Sequence, residues 1–310
     1  LTVAYLVTHS GGFHADELMS SVILTRLFPD ARIVRTRDND WITPAADRII
    51  YDVGRDYNAQ KRIFDHHQPN PPMRDDGRPL SSFGLIWREF GRDYLRAFDL
   101  PEAHIDHIHA SFDTSIVLPV DLVDNGALSP SIANELTELT LPVLLESLKP
   151  VFDNDSAEAE DQAFANALGI ARTFAEAFVA RRAAKLRAEA VVMKAIEDAG
   201  TGRVLELPSG MPFRSAVVRA GADQLWYVIS PRDTDWVLTG IRRDEDGFAL
   251  RADLPAAWAG LTDEALEEAS GVSGAKFCHN ARFIAVAATR DAILRMAEIA
   301  VAEAENFGVQ

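Results

Sequence analysis

Histidines and acids crowd four short stretches in the first half of this chain: His9-Ser10-Gly11-Gly12-Phe13-His14-Ala15-Asp16-Glu17, the single Asp52, Asp65-His66-His67, and Asp121-Leu122-Val123-Asp124-Asn125-Gly126. Taken singly, each residue has an ordinary explanation. A buried histidine is commonly a satisfied core residue, and an aspartate after a strand commonly caps a helix or makes a turn. Gathered in one cleft, however, they would desolvate several carboxylates together, and that cost calls for compensating cations. Imidazole mixed with carboxylate, without thiolate, suits Mn²⁺, Zn²⁺ or Fe²⁺, whereas sites made only of oxygen suit Mg²⁺ and Ca²⁺. Manganese is the first expectation, with magnesium or zinc as substitutes. Two such ions would activate water for attack on a phosphate ester, with no serine or cysteine intermediate.

The elements around these residues read as an α/β fold. Val3–Thr8, Ala31–Thr36, Arg48–Val53 and Ile63–Phe64 read as short buried strands, alternating with amphipathic stretches as in a doubly wound, mostly parallel sheet. His9, Asp52 and Asp65-His66 follow strand ends, where such sheets collect their ligands. Ala15–Phe28 reads as a helix stopped by Pro29, and Ser81-Ser82 as caps of a helix through about Phe98. Residues 102–123 read as helical. An Ala-rich tract from Ser156 to Ala199, free of proline, reads as a long helical connector of one helix or two. Beyond Gly202 the pattern turns to strands at Arg203–Leu207, Phe213–Arg219, Leu225–Ser230, Trp236–Ile241, Phe248–Asp253 and Arg282–Ala287, closed by a helix over Arg290–Asn306. The expected division is a metal-binding catalytic domain over 1–150, a connector over 151–200, and an α+β domain over 201–310 that covers the substrate.

These motifs carry a resemblance. Asp65-His66-His67 is similar to the motif that names the DHH phosphoesterase superfamily. Within it the chain more closely resembles the melanocyte-proliferating-gene family, whose eukaryotic members are described as 3′–5′ RNA exonucleases. The opening Thr8–Glu17 stretch, Val34-Arg35-Thr36-Arg37-Asp38, Phe64–Gln68, Ser82–Trp87 and Asp121–Gly126 carry the likeness in the first half. Leu254–Leu261 and Phe277-Cys278-His279 carry it in the second.

The resemblance implies that His9, His14 and Asp52 hold one metal and that Asp16, Asp52, His66 and Asp124 hold the other, with Asp52 bridging. Many superfamily members have aspartate at the position of His14, one residue nearer the first histidine. Asp121, one helical turn before Asp124, is an alternative last ligand. Asp65 is expected to orient His66, and His67 to contact phosphate. The implied activity is a phosphodiesterase or 3′–5′ exonuclease on RNA or short oligonucleotides. A small-molecule phosphatase, acting on pyrophosphate or a cyclic dinucleotide, is the enzymatic alternative, and a non-catalytic metal-binding protein is a third reading.

Other residues are weighed on the same terms. Arg35 and Arg37 share one side of an extended strand end, where they could reach phosphate or pair with acids such as Asp38. His279 and Arg282 are the substrate-contact candidates of the second half. His104, His107 and His109 are expected to face solvent, with Ile105 and Ile108 turned inward, and Arg181, Arg182, Lys185 and Arg187 read as a solvated helix face.

Cys278 is the single cysteine and is expected to be packed and inert, which excludes an internal disulfide framework and suits a reducing compartment. A formal net charge of -16 disfavours broad non-specific nucleic-acid binding, though not a strand end entering a metal-filled cleft. No apolar run is long enough to span a bilayer, and no signal peptide is recognised, so a soluble cytoplasmic protein without a membrane partner is expected. A homodimer stays open.

Overall fold

Tyr5-Leu6-Val7-Thr8 is rich in residues that suit a buried pleated surface, and it forms strand β1 (Tyr5–Thr8). The computed structural model describes residues 3–244 and 247–306. Leu1 and Thr2, which precede the expected first strand, lie outside the described residues. The chain divides into two compact units between Ala183 and Ala184.

In the first unit, β1 leads through a glycine turn to α1 (Ala15–Leu27), then β2 (Arg32–Arg35), the short α2 (Asn39–Ile42), β3 (Arg48–Tyr51), β4 (Tyr57–Asn58) and β5 (Ile63–Phe64). The sheet order is β2-β1-β3-β5-β4. All neighbouring pairs are parallel except β4 against β5, and β4 was not expected. Register sets up the site. Val7 pairs with Ile50 and Tyr51 with Phe64, so two residues past Val7 and one past Tyr51 the chain brings His9, Asp52 and Asp65 side by side.

Helices α3 (Ser82–Arg96), α4 (Glu102–Phe112), α5 (Leu118–Asp124) and α6 (Leu141–Glu146) follow. Ser81 caps α3 by accepting from the Phe83 amide. The expected helix over 102–123 is present but interrupted by a π-helical turn at Asp113–Val117. Helix α1 is buried along most of its length, and with α3 and α4 it encloses Trp87, Phe83, Tyr94 and Phe112.

One correction concerns His109. Its ring stacks on Trp87 (centroids 4.8 Å apart, planes 16° apart), so it is part-buried rather than solvent-facing, and burial lowers its pKa. Gly91 makes room, since a side chain there would meet Trp87 at 2.7 Å.

Helix α7 (Ala157–Ala199) is one continuous helix of 43 residues and runs through the division between the units. The second unit then contains β6 (Val204–Glu206), α8 (Arg214–Arg219), β7 (Tyr227–Pro231), β8 (Trp236–Gly240), α9 (Asp263–Ser270), β9 (Ala275–Cys278), β10 (Ile284–Ala287) and α10 (Arg290–Asn306). Its sheet, in the order β6-β7-β8-β10-β9, packs Tyr227, Leu238 and Trp258 with Ile293 and Met296 of α10.

Two expected strands are corrected. Phe213–Arg219 is helical, because Phe213, Ala216 and Val217 bury at the i, i+3, i+4 spacing of a helix face. Phe248–Asp253 makes only an isolated bridge, Arg242 with Leu250; Phe248 is exposed, and the Arg251 side chain is tied to the Ala222 and Leu225 carbonyls. Among the described residues, no helix is long and apolar enough to cross a membrane.

Candidate metal centre

Four sequence-distant segments of the first unit converge on one place. Side chains of Asp52, Asp65, His66 and His67 offer ligand atoms that all lie within 4.8 Å of one another, as do those of His9, His14 and Glu17, of His14, Asp16 and Asp124, and of Asp16, Glu17 and Asp52. The expected residues His9, His14, Asp16, Asp52, His66 and Asp124 are thus brought together. Glu17 joins them unexpectedly. In sequence it looks like an ordinary acid in the first turn of a helix, and it does accept from the His14 amide at 2.9 Å through both oxygens. It is also wholly buried, 3.1 Å from His9 Nε2.

Asp16 tests whether the pocket suits a cation. Its side chain is fully buried, and among the described residues neither carboxylate oxygen has a hydrogen-bond partner. Burial, reinforced by Asp52, Asp124 and Glu17, pushes its pKa well above the usual carboxylate range. An orphaned buried carboxylate among three other acids is costly unless a cation completes it, and this donor set fits a divalent ion.

The imidazoles are aimed by their other nitrogens. His9 Nδ1 donates to the Ser10 carbonyl at 3.1 Å, which leaves Nε2 facing Asp52 at 3.1 Å. His66 Nδ1 lies 3.2 Å from Asn125 Oδ1, while Asn125 Nδ2 donates to the Asp121 carbonyl at 2.9 Å and so fixes the amide. His66 Nε2 then faces Asp124 at 3.1 Å and Asp52 at 3.5 Å. Such outer partners fix the tautomer a metal needs. Burial lowers the pKa of both histidines, but their carboxylate partners outweigh it and push each up to about 10. Asp52 is correspondingly held well below the usual carboxylate range, its burial outweighed by His66 and His9. Its backbone is left-handed, with φ of 55°, uncommon for a residue other than glycine. The Ser82 hydroxyl donates to it at 3.4 Å.

Asp65 does not orient the His66 ring, as had been expected. It accepts from the His66 backbone amide at 2.8 Å and the His67 Nδ1 at 2.7 Å, and its second oxygen accepts from the Arg55 amide at 2.6 Å. The partner of the His66 ring is Asn125. The His67 ring is half exposed. A cavity of about 760 Å³ opens here, lined by His9, His14, Asp52, His67, Asp124 and Arg37 among others.

Asp121 is engaged elsewhere. Its carboxylate pairs with Arg74 at 2.7 Å and accepts from the Ser81 amide, the Ser81 hydroxyl and the Gly84 amide. Gly84 is needed for this close approach, since a Cβ there would lie 2.5 Å from the carboxylate. Arg35 is committed as well: it pairs with Asp161 at 2.8 Å, donates to the Gly11 carbonyl and lies over the Phe164 ring. Asp38 caps α2. In the second unit, His279 lies 4.4 Å from the Phe283 ring and accepts from the Ala281 amide, and Arg282 pairs with Asp253 at 2.7 Å. Cys278 is buried, and burial pushes its thiol up to about 11, consistent with an inert side chain.

Residues 5–301 match the MYG1 exonuclease family, described as Uncharacterised protein family UPF0160. The MYG1 exonuclease of Mus musculus is 30% identical over 331 residues, covering 96% of this chain and 84% of the relative. The MYG1 protein of Schizosaccharomyces pombe is 30% identical over 326 residues, covering 97% of this chain and 98% of the relative. Among solved structures, exonuclease RecJ bound to manganese aligns with 96% of this chain and 90% of its own, at 15% identity and a TM-score of 0.28. A match of this extent, on a chain whose acids and imidazoles are gathered to receive a cation, makes it a metal-dependent hydrolase that belongs to the MYG1 exonuclease family.

Proposed function

We propose that this chain is a phosphodiesterase, acting as a 3′–5′ exonuclease on RNA or short oligonucleotides with two divalent cations, manganese foremost. The observation that carries the reading is Asp16, a buried carboxylate with no partner inside a ring of further ligands. The name of the mouse relative, MYG1 exonuclease, supports the choice of reaction.

In this reading His9, His14 and Asp52 would hold one ion and Asp16, Asp52, His66 and Asp124 the other, Asp52 being shared by both sets. When bound, such ions supply Lewis acidity toward a phosphate ester and lower the pKa of water. The chain's own residues do the rest. Ser10 and Asn125 keep the Nδ1 protons of His9 and His66 away from the centre, so each Nε2 presents a lone pair. Asp65 holds the His67 Nδ1 proton, and His67, which lines the cavity, would meet the substrate's phosphoryl oxygens with its other nitrogen. Arg37, on the cavity wall, offers a guanidinium to the strand. Arg35 acts by holding the Gly11 turn, and His279 and Arg282 are proposed substrate contacts of the second unit. A doubly wound DHH-type sheet over 1–150, a connector over 151–200, an α+β domain over 201–310 and a cytoplasmic location complete the proposal.

The experiment is incubation of the purified protein with Mn²⁺ and an oligoribonucleotide labelled at its 5′ end. Stepwise shortening of the labelled strand supports the reading. Release of phosphate from pyrophosphate alone, with the oligonucleotide intact, replaces it with a small-molecule phosphatase.

A further inference from the structure

Two arginines line the wall of the cavity, Arg37 from the turn after β2 and Arg55 from the loop between β3 and β4. Both side chains are exposed, and among the described residues neither forms an ion pair, whereas Arg35, Arg48 and Arg74 all do. The acids of the cluster do not take these guanidiniums either: Asp52 and Asp124 face His9 and His66 instead.

Arg55 is also held in a demanding way. Its backbone is left-handed, with φ of 56°. Its amide donates to one oxygen of Asp65 at 2.6 Å, and the other oxygen of that carboxylate holds His67 Nδ1 at 2.7 Å. One buried carboxylate therefore fixes the origin of the arginine and the ring of the histidine together. Gly54 permits the tight approach, with φ of 105° and Ile63 only 2.8 Å from where a Cβ would be.

We propose that Arg37 and Arg55 form a subsite for a second phosphate, distinct from the one being cleaved, so that the enzyme selects substrates carrying at least two phosphates, such as a 5′-phosphorylated dinucleotide or a longer strand. The inference rests on the phosphodiesterase reading above. A planar guanidinium matches phosphate through paired hydrogen bonds, and two on one wall give a site for an anion that the acidic cluster cannot offer. The cavity, at about 760 Å³, lies within the range that holds whole ligands rather than one phosphate group.

The test compares two substrates in the presence of Mn²⁺: bis(4-nitrophenyl) phosphate, with a single phosphodiester, and a 5′-phosphorylated diribonucleotide. For the native protein, kcat/KM favours the dinucleotide. In R55A and in R37A that preference falls by about 10-fold or more, mainly through KM, and R55K restores it only in part because an ammonium lacks the fork. An unchanged preference in both alanine variants overturns the subsite. A native protein that cleaves neither substrate overturns the phosphodiesterase reading. Binding then decides the subsite separately, by fluorescence anisotropy of a labelled phosphorothioate dinucleotide: weaker binding by R55A and R37A supports it, and equal binding refutes it.

Discussion

Asp16 and Asp52 bring carboxylate oxygens within 4.8 Å of each other although both side chains are buried. Two like charges so placed strain the metal-free chain, and a cation relieves the strain. Asp16→Asn is therefore expected to stabilise the metal-free protein by about 1–3 kcal/mol while removing most of the stabilisation that Mn²⁺ gives the native chain. Thermal melts with chelator and with Mn²⁺ measure both. An equal Mn²⁺-induced rise in Tm for the variant and the native protein would falsify the assignment of Asp16 as a ligand.

The pH dependence has a definite sign. His9 and His66, pushed up to about 10, contribute stability that is fully present below about 6.5 and is lost as pH rises through 10. Asp16, whose pKa is raised, is easier to keep neutral than ionised, so its ionisation also lowers stability as pH rises above the usual carboxylate range. The metal-free protein should accordingly weaken between pH 6.5 and 10. A bound metal needs both Nε2 atoms deprotonated, so binding releases protons and tightens with pH. Titration calorimetry in buffers of unequal ionisation enthalpy reads that release; identical heats in all buffers would contradict it.

Asp121 and Asp124 sit on the same short helix, α5, and should separate cleanly. Asp121→Ala leaves the buried Ser81 and Gly84 donors unpaired and takes from Arg74 one of its two carboxylate partners, Asp113 remaining, so it should cost about 1–3 kcal/mol of stability with metal stoichiometry unchanged in the folded fraction. Asp124→Ala should spare stability and reduce bound metal. Denaturant melts and elemental analysis give both quantities, and the reverse pattern would exchange their roles.

His67 and Asp65 form a positioning pair. His67→Ala should retain bound metal and lower kcat by about 10²–10³-fold, the scale of a lost group that stabilises charge in the transition state. Asp65→Asn should also lower kcat and should shift the pH profile, because the carboxylate that raises the His67 pKa becomes a neutral amide. Metal content and pH–rate profiles decide it. Loss of metal in His67→Ala would make it a ligand instead.

Most of the centre was readable from residue order because parallel strands lay their carboxyl ends side by side, and His9, Asp52 and Asp65 each follow a strand. What escaped the sequence depends on contacts between elements. Glu17 resembles any first-turn helix acid, and only folding shows its second face toward His9. Asn125 looks like a turn residue until its amide is seen bridging α5 and His66. Asp121 and Asp124 are equivalent by spacing, and the Arg74 loop, 47 residues before Asp121, settles which one is spent on structure. The α8 segment failed for a different reason: six residues are too few to separate a helical from an extended period.

The left-handed backbone at Asp52 narrows what inheritance can place there. Asparagine and glycine accept that conformation readily but carry no charge, whereas glutamate carries the charge but has no comparable liking for the turn and reaches one methylene too far. The exchange usually counted mildest, one acid for the other, is thus among the harsher ones at this position. A descendant that abandons the chemistry while keeping its shape should pass through Asp52→Asn or Asp52→Gly rather than through Asp52→Glu.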